Sequence, residues 1–139
     1  MGSASVDKFE DDAVIAQLIE LASADENIEV LWLFGSRARG NANANSDYDL
    51  AVAYEDVLPD LAERRLRPEL LAMDWKDTVN KDISIVDIND APTPLAAAII
   101  NDNCVLYCRR PFRLHSEEQR IWSKWEAFKK EHERNREPL

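Results

Sequence analysis

The seven-residue apolar run IEVLWLF at 28–34 stops at Gly35-Ser36. Ten residues later, Asp47-Tyr48-Asp49 opens a second apolar run, LAVAY. The first run is too short for a helix and rich in strand formers, so it reads as a buried strand, and the second run reads as another. A glycine between them lets the backbone turn sharply and approach a ligand with no Cβ in the way. Ser36 can offer a hydroxyl and a backbone N–H to a phosphate, more so if RARG begins a helix. Asp47 and Asp49 are two apart at a strand start, which puts both carboxylates on one face. Such a pair repels itself unless a cation bridges it. Mg²⁺, which takes one or two carboxylates together with phosphate oxygens, suits the pair, and two such ions would serve an attacking oxygen and a leaving pyrophosphate.

The rest of the chain supplies helices and two more strands. Val14, Ile15, Leu18 and Leu21 give residues 9–21 helical spacing. Residues 58–79 read as mostly helical, with Pro68 starting a new turn or bending it. Residues 83–88 (ISIVDI) read as a third strand and 105–107 as a brief fourth. Residues 93–101 form a short helix with Thr93 as its cap and Pro94 at its first position. A last helix spans 116–134, capped by Ser116, with Ile121, Trp122, Trp125 and Phe128 on one stripe. This order predicts an α/β (α+β) domain, a small mixed sheet flanked by helices.

Strand, Gly-Ser, ten residues, Asp-x-Asp, strand resembles the signature of the nucleotidyltransferase superfamily that includes DNA polymerase beta. GSRARGNANANSDYDLAV is similar, more closely, to the minimal nucleotidyltransferases, and DISIVDINDAPTPLAAAIINDNCVLY continues the likeness. It covers about residues 28–108 and implies a polymerase beta-like fold. It also implies a Mg²⁺-dependent enzyme that moves AMP from ATP to a hydroxyl, with Gly35, Ser36, Arg37 and Arg39 at the nucleotide and Asp47 and Asp49 at the metals. A third metal-facing acid on a neighbouring strand is implied too. Asp82 and Asp87 are the candidates. They lie five apart and face opposite sides of a regular strand. Asp82, which opens its strand as Asp47 does, is the expected one, and Asp87 reads as a turn or cap residue. The minimal group is usually encoded beside a HEPN-domain RNase toxin, so the resemblance implies an antitoxin that adenylylates a tyrosine of that partner. A non-catalytic binding antitoxin and an enzyme acting on an aminoglycoside remain alternatives.

Arg37 and Arg39 carry forks suited to phosphate oxygens, but their i,i+2 spacing lets at most one reach a nucleotide. Asn41, Asn43 and Asn45 read as turn formers. Cys104 and Cys108 read as free thiols, and Trp32 and Trp75 as core or shielding residues.

Charge narrows the partners. The chain has 27 acidic and 17 basic side chains, a net −10. That argues against phosphate-neutralising nucleic-acid binding. Residues 109–139 run the other way, with nine basic against six acidic groups. The expected organisation is a catalytic domain at 1–110 and a basic amphipathic helix and tail at 111–139, which either packs on the domain or faces a partner. Apolar runs too short to span a bilayer, no secretory leader pattern, and two cysteines make the cytoplasm the expected compartment.

Overall fold

The computed structural model describes residues 12–136. The elements in order are α1 (Ala13–Ala24), β1 (Ile28–Phe34), α2 (Gly35–Arg39), β2 (Tyr48–Tyr54), α3 (Leu61–Val79), β3 (Ile83–Asp87), α4 (Thr93–Asp102), β4 (Val105–Cys108) and α5 (Pro111–Arg136). The four strands form one mixed sheet in the order β3-β2-β1-β4. β1 runs antiparallel to β2 and β4, whereas β2 and β3 are parallel. Both faces of the sheet are covered, which is why β1 and β2 are almost continuously apolar. Ile15, Leu18 and Ala22 of α1 and Trp75 and Val79 of α3 pack on one face, against Leu31, Leu33, Leu50, Val52 and Ile85. The other face, carrying Val30, Trp32, Ala51, Ala53 and Val86, is covered by Ala96, Ala97, Ile99 and Ile100 of α4 and Ile121 of α5.

Several helix ends differ from the sequence expectation, each for a local reason. α1 begins at Ala13 because the Asp12 carboxylate accepts the N–H groups of Val14 and Ile15. Of the helix expected over 9–21, residues 9–11 lie outside the described residues. α3 begins at Leu61, where the Asp60 carboxylate accepts the Glu63 N–H. Pro68 sits inside α3 without ending it; only the donor to the Arg64 carbonyl is lost, and burial of the ring offsets that. Thr93 is the first residue of α4 rather than its cap, because the Pro92 carbonyl accepts the first helical N–H, from Ala96.

The last helix starts at Pro111, not after Ser116. Proline needs no N–H partner at a first helical position, so Pro111 is pre-set for that role. Its opening turns are tied down by ions. Arg113 bonds the Glu29 and Glu117 carboxylates at 2.9 and 3.0 Å and also donates to the Tyr54 carbonyl. Arg110 adds a second cation to Glu29, and Arg120 to Glu117. Glu29 and Glu117 are only 7% and 8% exposed at the side chain, so these pairs fasten α5 to β1 from within. Further along, Trp125, Phe128 and His132 stack in a ladder, and Trp122 and Phe128 are exposed. The first half of α5 thus belongs to the packed domain, and its apolar stripe continues into solvent.

Candidate active site

β1 and β2 set the site. Their antiparallel register brings Phe34 opposite Asp49, so the chain leaves β1 beside the carboxylate of the second residue of β2. Gly35 makes that proximity possible. Its φ is +75°, and a Cβ built on it would stand 2.5 Å from Asp49 Oδ2. No L side chain larger than hydrogen fits there without moving the carboxylate. The Gly35 N–H donates to Asp102 Oδ2 at 3.1 Å, so glycine serves here by clearance, while its amide is held by the end of α4. Ser36 follows in the first turn of α2, and its carbonyl accepts the N–H groups of Gly40 and Asn41 as the helix closes.

Strand alternation sorts Asp47, Tyr48 and Asp49. Tyr48 is buried on the α1 face, where its hydroxyl donates to Asp12 Oδ2 at 3.3 Å. Asp47 and Asp49 therefore point to the other side. The Asp49 carboxyl is pushed above the usual range, first by loss of solvent and then by the charge of Asp47, with Arg39 pulling it back. The pull of Arg39 only partly offsets the repulsion between the two acids. The donor set, two carboxylates beside a backbone too close for any Cβ, fits Mg²⁺ with phosphate oxygens completing its shell.

The other candidates do not all gather there. Arg37 donates from Nε and Nη2 to the Ser46 carbonyl at 3.1 and 2.8 Å, and its guanidinium lies 3.8 Å from the Tyr48 ring centroid. It clamps the 41–47 loop, whose turns use Asn43 and Ser46 as local hydrogen-bonding groups. Arg39 is half exposed, 3.7 Å from Asp102 and within electrostatic reach of Asp49, so it is the arginine on the site side.

Asp82 is not brought to the pair. Its side chain is 67% exposed and its Oδ1 lies 3.1 Å from Lys76 Nζ on α3, the helix that packs on the opposite face. Among the described residues, no three His, Cys, Asp or Glu side chains come together as a metal-sized group. Asp87 closes the turn after β3 by accepting the Asn89 N–H.

Sequence reasoning missed two residues at the site. Asp102, 8% exposed at the side chain, anchors Gly35 and faces Arg39; nothing in NDN advertises this. Ser84 stands beside Asp49 in the parallel register. Aligning the first residues of two parallel strands, Tyr48 and Ile83, would have revealed it.

The family model for polymerase beta nucleotidyltransferases matches residues 16–112, which include Gly35, Ser36, Arg39, Asp47, Asp49, Ser84 and Asp102. This chain belongs to that family. Among its relatives, the protein adenylyltransferase MntA of Aphanizomenon flos-aquae is 38% identical over 87 residues, or 58% of this chain and 57% of the relative. The chain thus spans little more than half the length of the curated relatives it matches. In three dimensions it resembles a toxin–antitoxin solved with AMP-PNP, with a TM-score of 0.68 and 22% identity over 86% of this chain and 90% of that one. It also resembles a structure of a tri-AMPylated Shewanella oneidensis HEPN toxin in complex with its MNT antitoxin. There the TM-score is 0.62, with 20% identity over 96% and 93% of the two chains. At such identities these neighbours establish the polymerase beta-like fold.

Proposed function

We propose that this chain is an antitoxin that transfers AMP from ATP to a hydroxyl, that of a tyrosine, on a HEPN-domain toxin. The observation that carries this reading is the Asp49 carboxylate held against Gly35 within reach of the Asp47 charge, a self-repelling arrangement with no evident benefit to folding. Support for the substrate and partner comes from the relatives: a named protein adenylyltransferase and a complex containing an AMPylated HEPN toxin.

In this reading Asp47 and Asp49 hold Mg²⁺. When bound, the metal neutralises phosphate charge and stabilises the leaving pyrophosphate. Gly35 keeps the Asp49 carboxylate where it is by adding no bulk. Arg39 supplies a cation to the triphosphate, Ser36 a hydroxyl and an amide, and Arg37 a rigid loop under Asp47. In the described residues no helix is long and apolar enough to cross a membrane.

The test is incubation with α-labelled ATP, Mg²⁺ and a HEPN-domain toxin. Label on that protein, absent with Asp47→Asn or Asp49→Asn, supports the reading. Full neutralisation of the toxin by both variants would instead identify a binding antitoxin, and transfer only to an aminoglycoside would identify a drug-modifying enzyme.

A further inference from the structure

We infer that the site works with two carboxylates and that Ser84 is its third strand-borne residue, a positioning group for the acceptor. This rests on the nucleotidyltransferase reading and refines it. In the parallel pairing of β2 and β3, Asp49 is level with Ser84 and Ala51 with Val86. Val86 packs with Ala51 and Ala53, whereas Ile83 and Ile85 join the core on the α1 and α3 side. Ser84 therefore shares the Asp49 face, and it is exposed there. Asp82 is drawn off by Lys76, and its carbonyl is fixed by the Tyr48 N–H at 3.0 Å.

A serine hydroxyl at that position has different chemistry from a carboxylate. It can accept or donate a hydrogen bond and so align an incoming hydroxyl, but at neutral pH it neither holds a metal tightly nor takes a proton. In the transfer step the acceptor oxygen bonds to the α-phosphorus as the α–β phosphoanhydride bond breaks. Pyrophosphate departs, and the acceptor's proton passes to solvent water rather than to a side chain of β3.

The test measures Mn²⁺ binding by electron paramagnetic resonance on the whole chain with a non-hydrolysable ATP analogue, alongside AMP transfer. Ser84→Asp should tighten Mn²⁺ binding by about tenfold, since ligand charge governs affinity at such sites. Asp82→Asn should change neither binding nor transfer by more than about twofold, as expected of an exposed ion pair. Unchanged Mn²⁺ affinity in a folded Ser84→Asp protein overturns the inference. So does an Asp82→Asn variant that loses binding and transfer as Asp49→Asn does, and this second variant decides the matter should Ser84→Asp not fold. If Asp49→Asn itself leaves Mn²⁺ binding intact, the nucleotidyltransferase reading fails along with it.

Discussion

Gly35 and Asp49 meet so closely that a Cβ on Gly35 would lie 2.5 Å from Asp49 Oδ2. Gly35→Ala must displace the carboxylate and strain a φ of +75°. We expect a loss of about 1–3 kcal/mol in urea unfolding and at least about a hundredfold in AMP transfer. Gly40→Ala is the control. Its φ of +79° carries similar strain, but no atom lies within 4 Å of the added carbon. It should cost about 1 kcal/mol and leave transfer within about twofold.

Asp49 gives a dependence on pH and metal. Its carboxyl is raised from 3.8, so the folded chain binds that proton more tightly than the unfolded chain. Its contribution to stability is therefore lost as pH climbs from the ordinary aspartate value through the raised one. At neutral pH without metal, Asp49→Asn should raise the Tm, by up to about 4 °C for a domain this size. The difference should shrink near about pH 4, and Mg²⁺ with nucleotide should stabilise the parent chain and not the variant.

The two arginines of α2 should separate by assay. Arg37→Ala frees the 41–47 loop by removing the hydrogen bonds to Ser46 and the stack on Tyr48. It should speed proteolysis in that loop and cost about 1–2 kcal/mol. Arg39→Ala should leave stability within about 0.5 kcal/mol, being half exposed, and raise the KM for ATP several-fold.

How much of this was legible beforehand follows from what each feature depends on. The four strands and the Gly35–Asp49 unit showed in the sequence because a glycine, a serine and two acids at strand ends are local patterns. The clamp made by Arg37 did not. It depends on where the 41–47 loop carries the Ser46 carbonyl, and nothing in RARG distinguishes a loop clamp from a phosphate fork. The ion pair of Asp82 with Lys76 did not show because Lys76 is brought near from the previous helix. Ser84 was hidden because register between parallel strands is set by the sheet, whereas side-chain type had drawn attention only to acids. The start of α5 was missed because its anchor, Glu29 with Arg110 and Arg113, joins residues more than eighty positions apart.

That anchor yields a stability prediction. Glu117→Ala leaves two arginines short of a buried carboxylate and should cost about 2–4 kcal/mol in urea unfolding. Trp122→Ala, on the exposed side of the same helix, should cost less than about 0.5 kcal/mol.

The measurement that bears most directly on the central claim is AMP transfer from α-labelled ATP to the proposed partner, a HEPN-domain toxin, compared between the parent chain and the Asp47→Asn, Asp49→Asn double variant. The predicted result is labelled tyrosine and a silenced ribonuclease with the parent, and neither with the folded double variant. Toxin silenced equally well by the double variant, with no label transferred by the parent, would contradict the account.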